Sequence, residues 1–353
     1  MTLSRRGTRS DRALRPRERA EKRAVVAVTI RDVARQAEVS VATVSRALSA
    51  PDLVRPATRD RVLAVAAELG YQPNRAARSL ITGRTGNIGI VVPDLENPFF
   101  TGVLKGLQAR ARQADYAVFV SDSDEDPTAE AMLVRAMAKQ VDGIVLAAPA
   151  LDDDQLYAIA EDTSLVLLNR RLRGISAALM NSAAGMRQVL EHLVALGHRR
   201  CGYLHGPRTS WSNRERRRGL RAAATQHGVE LVELGPFPPR YEGGLQAADL
   251  AVAADVTAII AYNDIMALGV LARLRDRGIP VPEAVSVTGF DDLVFASLCS
   301  PPLTTVAMPL GQAGRLAVDL LLEHIASDRT EISQVDLETQ LIVRGTTSTP
   351  ATN

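Results

Sequence analysis

From residue 88 onward the chain keeps one rhythm, short β-rich runs separated by stretches of helical periodicity, and few folds accommodate that pattern. The runs lie at 88–92, 116–120, 143–147, 165–168, 201–205, 257–261 and 285–288. Residues 186–196 and 264–277 are examples of the amphipathic helices between them. Such alternation predicts parallel strands, because a parallel neighbour needs a crossover long enough to hold a helix. Helices then cover both faces of the sheet, so runs such as 165–168 are apolar throughout. The length suits two sheets with a cleft between them. Ligands of open parallel sheets collect beyond the carboxyl ends of the strands.

Ahead of that rhythm the charge changes sign. Residues 1–28 carry +6 and residues 29–85 carry +4, against −8 for the remainder. A basic front end on an acidic body suits a polyanionic partner. For residues 1–28 alone a solvated arm is an equal alternative. That arm lacks periodicity, is dense in Arg and is predicted to be disordered.

Between Thr29 and Gly70 the apolar spacing predicts three short helices. Thr29 can cap the first, whose stripe is Ile30, Val33, Ala34 and Ala37. Glu38 and Val39 make a tight break. Ser40 then caps a second helix that turns Val44, Ala47 and Leu48 inward. Pro56 suits the start of a third, with Val62, Val65, Ala66 and Leu69 buried, and Gly70 ends it. Two helices on so short a turn, with a third in support, make a helix-turn-helix unit. The outer face of the second helix holds Val41, Ala42, Ser45 and Arg46. Small apolar groups suit thymine methyls, and a guanidinium can fork onto a guanine. Thr43 and Ser45 suit phosphates or base edges. Residues 74–80 add about two turns of helix, too short to stand alone in water. Residues 82–86 read as a flexible linker.

The stretch from Thr29 to Leu48 resembles the DNA-binding domain of the lactose/galactose-repressor (LacI/GalR) family. The resemblance continues through residues 71–74 (YQPN), 76–80 (AARSL), 92–100 (VPDLENPFF), 196–199 (LGHR), 263–269 (NDIMALG), 289–292 (GFDD) and 302–305 (PLTT), in family order and spacing. It implies an α/β fold: an N-terminal three-helix helix-turn-helix domain plus a periplasmic-binding-protein-like core of two parallel-sheet subdomains. The implied boundaries are a basic arm at 1–28, the helix-turn-helix domain at 29–73, a hinge helix and linker at 74–85, and the core at 86–348. Within the core, the N-subdomain takes about 86–180 and 308–336, and the C-subdomain about 181–307 and 337–348.

The function this implies is sequence-specific, DNA-binding transcriptional regulation. By family it is repression, controlled by a sugar or sugar derivative in the cleft. Activation, or response to a purine or nucleoside, stays open. Candidate DNA contacts are Thr29, Ser40, Val41, Ala42, Thr43, Ser45, Arg46, Asn74, Ala77 and Leu80. Leu80 would serve as an apolar wedge in the minor groove. Candidate effector contacts are Asp94, Phe99, Phe100, Asn169, Arg170, Ser210, Trp211, Ser212, Arg216, Phe237, Asn263 and Asp291. Among these, Arg216, Asn263 and Asp291 are the polar contacts the family match favours, with Phe99, Trp211 and Phe237 as stacking contacts. The sequence departs from the family at Met180-Asn181, where Asp-Asn is common. The arginines at 214, 216, 217 and 218 are dense, and suit either an anionic effector or a basic helix surface. The implied partners are pseudo-palindromic double-stranded DNA, the effector and a second copy of the chain.

Other function classes find no support. No apolar run reaches the ~18–20 residues of a membrane helix, and the N-terminus has no apolar signal core, so the cytoplasm, at the nucleoid, is the expected location. Cys201 and Cys299 are too few for a disulfide framework or a thiolate cluster, and no metal or cofactor is expected. A Walker loop, a dinucleotide fingerprint, a G-x-S-x-G elbow and an HExxH pair are all missing, so no enzyme is expected. No leucine heptad follows Gly345 to build a tetramer, so a homodimer is expected.

Overall fold

The computed structural model describes residues 28–49, 51–71, 83–327 and 331–351. They fall into two compact units, one within residues 1–77 and the other within residues 78–353. The basic arm and the candidate contacts Asn74, Ala77 and Leu80 lie outside the described residues.

The first unit is three helices, α1 (Ile30–Gln36), α2 (Val41–Ser49) and α3 (Pro56–Glu68), with a 3-10 turn at Pro51–Leu53. Asp32 closes a capping box by accepting the Thr29 amide at 3.0 Å and its hydroxyl at 2.7 Å. The Thr29 hydroxyl accordingly holds the Asp32 carboxyl below the usual carboxylate range. Glu38 makes the break in the left-handed region, at φ 49°. The Ser40 hydroxyl accepts the Thr43 amide at 3.1 Å and so starts α2. Val33, Ala34, Ala37, Val44, Ala47, Val62 and Ala66 form the small core, with Leu48, Val65 and Leu69 packed against it.

The second unit holds two parallel sheets. The larger has the order β11-β5-β4-β3-β1-β2, from β1 (Asn87–Val92), β2 (Ala117–Asp122), β3 (Ile144–Ala147), β4 (Leu165–Leu168), β5 (Ser176–Met180) and β11 (Gln334–Leu337). The smaller has the order β7-β6-β8-β9, from β6 (Arg200–Leu204), β7 (Glu230–Leu234), β8 (Ala258–Ala261) and β9 (Ser286–Thr288). Every pairing within both sheets is parallel. A third, antiparallel pair joins β10 (Thr305–Ala307) to β12 (Gln340–Ile342).

Nine helices of this unit flank the sheets among the described residues: α4 (Pro98–Gln113), α5 (Pro127–Met137), α6 (Asp153–Asp162), α7 (Ser182–Ala195), α8 (Trp211–His227), α9 (Tyr241–Ala253), α10 (Asp264–Asp276), α11 (Val294–Leu298) and α12 (Leu310–Ala326). The seven β-rich runs are all strands, with ends displaced by a residue or two. The helix expected from residue 186 begins at Ser182, because the Asn181 side chain caps it by accepting the Ala184 amide at 3.0 Å. Met180, beside it, is a core residue. The chain passes between the two lobes three times: from β5 to α7, from β10 to α12, and from β11 to β12.

The expected flexible linker needs a correction at its C-terminal end. Asp142 accepts the Thr85 amide at 2.6 Å, the Thr85 hydroxyl at 2.8 Å and the Gly86 amide at 3.0 Å. Arg84 donates to the Ile325 carbonyl at 2.6 Å. One carboxylate satisfying three donors fixes residues 84–86 to the core, a tertiary contact no local pattern reveals. No helix of the described residues is long and apolar enough to cross a membrane.

The first lobe depends on a close crossing of α4 and α12. A Cβ at Gly106 would stand 2.0 Å from the Gly311 carbonyl oxygen, and one at Gly314 would stand 2.2 Å from that of Val103. Backbone meets backbone there, so no side-chain rotation can relieve an added methyl. Gly106→Ala should destabilise the protein by about 1–3 kcal/mol or more, as overpacking does. The check is a urea unfolding curve, in which an unchanged midpoint would contradict the packing described.

Candidate functional site

On α2 the inward residues Val44 and Ala47 are buried, which leaves Val41, Ala42 and Arg46 exposed together on the opposite face. Thr43 and Ser45 are half-buried. The Thr43 and Ser40 hydroxyls are 2.8 Å apart, so both are oriented by the cap. Thr29 is oriented likewise by Asp32. The face offered to a partner is therefore a small apolar patch beside one long cation.

A second candidate site lies between the lobes of the second unit. A partly open cleft of about 100 Å³ is bounded on the first lobe by Pro93, Asn97, Phe100, Ser123, Glu125, Glu130 and residues 148–150. The second lobe closes it with Pro207, Thr209, Ser210, Pro239, Tyr262 and Asn263. Most of these follow the carboxyl ends of β1, β2, β3, β6 and β8, where parallel sheets gather ligands. Among the described residues, six of the nine non-glycine residues with positive φ cluster at such ends: Asp124, Glu125, Ala148, Asn169, Asp291 and Asp292. Strained backbone of this kind persists where the surroundings demand it and is common at ligand sites.

Of the sequence-predicted effector contacts, Phe100, Ser210 and Asn263 line this space. Asn263 caps α10 by accepting the Met266 amide at 2.9 Å, and its amide donates to the Pro239 carbonyl at 2.9 Å. The other predicted residues are placed around the space rather than on it. Arg216 and Asp291 form a buried ion pair at 3.3 Å behind Tyr262. Phe99 is core, edge-on to Phe100 at 5.0 Å, and Phe237 packs on the apolar cluster of the second lobe. Trp211, which starts α8 of the second lobe, packs on the apolar cluster of the first. Asn169 donates across the cleft to the Ser212 hydroxyl at 2.8 Å. Asp94 crosses it too, pairing with Arg240 at 3.3 Å.

Arg170 is buried, donating to the Pro149 and Leu151 carbonyls and pairing with Asp153 at 2.6 Å. The arginine cluster is likewise committed. Arg214 donates to the Thr209 carbonyl, Arg217 pairs with Glu233 and Arg218 with Glu215. Sequence reasoning missed Asn97, Ser123, Glu125, Glu130 and Tyr262. Their position just past strand ends was the available signal; Tyr262 directly precedes Asn263.

A family model described as bacterial regulatory proteins, lacI family, matches residues 29–74. One described as a periplasmic binding protein-like domain matches residues 190–347. The HTH-type transcriptional regulator GalS of Salmonella typhimurium (strain LT2) is 36% identical over 307 residues, 85% of this chain and 90% of that protein. The chain belongs to the LacI family of bacterial regulatory proteins. The HTH-type transcriptional repressor CytR of Escherichia coli (strain K12) is 32% identical to this LacI-family regulator, over 92% of its chain and 98% of CytR. A crystal structure of the lac repressor dimer, bound to operator and the anti-inducer ONPF, superposes with a TM-score of 0.81 at 30% identity, covering 91% of this chain and 99% of that one. These relatives are DNA-binding transcriptional regulators rather than enzymes.

The cleft of this LacI-family regulator is acidic and desolvated. Burial pushes the carboxyls of Glu125 and Glu130 up, the second against the amides of Ala150 and Leu151 that it accepts. Burial likewise raises Asp291, against the pull of Arg216. Asp264 is raised to about 6 by burial, although it accepts the Thr305 hydroxyl at 2.5 Å and the Leu293 amide at 2.8 Å. A carboxyl raised on folding contributes stability that is present below its unfolded value, near pH 4, and lost as pH rises through about 6. Acidification from pH 7 to pH 5 should therefore stabilise the wild type more than Asp264→Asn, by roughly 1–3 kcal/mol. Urea midpoints at the two pH values test this, and equal gains in both proteins would contradict it.

Proposed function

We infer that this regulator binds a pseudo-palindromic operator as a homodimer, acts as a repressor, and is controlled by an uncharged, sugar-like effector held between the core lobes. The observation that carries the reading is the cleft at the strand ends, lined by both polar and apolar groups, in a chain that also presents an exposed recognition-helix face. The solved relatives match in kind: the lac repressor was captured as a dimer on operator, and the regulator CelR with cellobiose. An uncharged effector fits because Glu125 and Glu130 line the space, while the neighbouring arginines are already paired or hydrogen-bonded. A phosphate there would face two desolvated carboxyls, at a cost that grows as the local dielectric falls. Asn263 supplies a polar group on the site, and the buried Arg216–Asp291 pair stands directly behind that end of it. Its place of action is the cytoplasm, at the nucleoid.

In this reading the DNA-binding domain spans 29–73, the hinge helix and linker 74–85 and the core 86–348. Asn74, Ala77 and Leu80 touch DNA beyond the recognition helix. The dimer face is assigned to the second lobe, where Val294, Phe295, Leu298 and Tyr241 are exposed apolar side chains, Leu298 at 74%. An apolar surface of this kind marks a protein interface.

Two outcomes test the reading. Arg46→Ala should weaken specific operator binding by ~1–3 kcal/mol and relax preference at one base pair per half-site, as loss of one guanine contact does. A randomised-site selection that returns the wild-type consensus would remove Arg46 from base readout. Asp291→Ala and Arg216→Ala should abolish the effector response and leave operator affinity nearly intact. Each leaves its partner's charge buried and unpaired, at a cost of about 3–5 kcal/mol to the packing of the second lobe on which the site stands. Gel retardation with and without the effector reads both quantities, and a variant that responds at the wild-type concentration would exclude that residue from the site.

A further inference from the structure

The chain enters the core through a fastened segment. Asp142 accepts three donors of Thr85 and Gly86, and further contacts flank them. The Thr85 hydroxyl accepts the Asn87 amide at 3.1 Å, and the Asn87 carbonyl accepts the Asp142 amide at 2.8 Å. The Gly86 carbonyl accepts the Ala117 amide at 3.0 Å, so the segment meets the start of β2 before β1 begins. Gly86 turns the chain there at φ 69°, a conformation open to glycine at no steric cost. Arg84 ties the same segment to the last turn of α12 through the Ile325 carbonyl. Tyr116, half-buried beside both Asp142 and Arg84, completes the cluster. Every partner belongs to the first lobe, so residues 84–87 move with that lobe.

We propose that Asp142 is a positioning residue for operator spacing: by fastening residues 84–86 to the first lobe, it limits how far apart the two DNA-binding units of a dimer can reach, and so selects the half-site spacing that the regulator accepts. The proposal rests on the reading that a homodimer binds a pseudo-palindrome. The chain ahead of residue 84 is the tether between the helix-turn-helix unit and the core, and its reach depends on where it is fastened. Freeing residues 84–86 would lengthen it by up to about 10 Å per chain, at about 3.3–3.6 Å per extended residue. One base pair displaces a half-site by about 3.4 Å along the DNA axis and turns it by about 35° around it. The fastening therefore separates a tether that registers single base pairs from one that spans several. Asp142 suits this role because a single side chain holds three donors. Thr85 and Gly86 are only half-buried, so water can satisfy their amides once the carboxylate is gone. The segment is then released without an unsatisfied buried donor to hold it back.

The test is a spacing series on the full-length protein and two variants, Asp142→Ala and Thr85→Val, at one salt concentration. The probes are DNA duplexes carrying the half-site that the wild type recovers from a randomised library, singly or as an inverted pair whose spacer grows one base pair at a time. The wild type should bind one spacer about tenfold or more tighter than its neighbours, because a tether that cannot reach forfeits the second contact. Asp142→Ala should bind the single half-site as the wild type does and shrink that preference to about threefold or less. Thr85→Val loses the hydroxyl and keeps both amides, so its profile should fall between the two. A merely structural role would lower all affinities together and leave the profile unchanged. Asp142→Ala with the wild-type profile, or a wild type indifferent to spacing, would overturn the proposal while leaving the homodimer reading intact. If Asp142→Ala fails to fold, which its single-half-site binding would reveal, Thr85→Val decides, and a wild-type profile there is the overturning result. A wild type that selects no sequence, or binds a pair no better than one half-site, brings down the homodimer reading and the proposal with it.

Discussion

The ion pair between Arg216 and Asp291 is the contact on which the cleft is built. Each side chain is 3% exposed, so two charges have been taken out of water to meet at 3.3 Å. Such a pair contributes little net stability, yet removal of one partner is severe because the other charge stays buried alone. Its placement shows what depends on it. The guanidinium lies 4.0 Å from the centroid of Phe290 and 4.5 Å from that of Tyr262, so one cation aligns two rings. Asp291 holds a φ of 119°, a conformation that costs about 1–3 kcal/mol outside glycine and persists only under constraint. Helix α8, the loop after β8 and the loop after β9 are fixed to one another at that point.

Around this anchor, the two lobes touch across the cleft. Asn169 donates to Ser212, Arg240 reaches Asp94 and Asp124, and Trp211 leaves its own lobe to pack on the other. The Arg240 pairs are partly exposed and individually weak. The Asn169 and Trp211 contacts are better shielded and carry more of the closure. A ligand that touches both lobes favours this arrangement by its differential affinity for the closed state, and by no more than that. This is how the proposed effector would act at a distance.

The sequence was legible where local rules decide the outcome. Thr29 and Ser40 sit at helix starts because their hydroxyls meet nearby groups, and the strand at 165–168 is apolar because helices cover it on both faces. Strand β5 was hidden because Ser-Ala-Ala-Leu-Met has no β-branched residue, and β7 because its two glutamates interrupt the apolar pattern at a sheet edge. Helix α7 starts earlier than its apolar stripe because Asn181 caps it. In the cleft, Arg216 and Asp291 were recognisable by type, but that they bond each other behind Tyr262 is a tertiary fact. Trp211, in a loop of serines and arginines, looked like a ligand contact; its partners are apolar residues more than thirty positions earlier in the chain. Glu125 and Glu130 sit in a segment, residues 121–130, where half of the residues are acidic, so nothing local singled them out.

Trp211 is the single tryptophan of the chain and sits where the two lobes meet, which makes it a natural reporter of closure. The most direct test of the account is to titrate effector while following Trp211 emission, with and without saturating operator. The account predicts that emission shifts with a midpoint that operator moves by the same factor by which effector moves operator affinity, since coupled binding equilibria are reciprocal. Emission that saturates at the same effector concentration whether or not operator is bound, while operator affinity changes with effector, would contradict closure as the link.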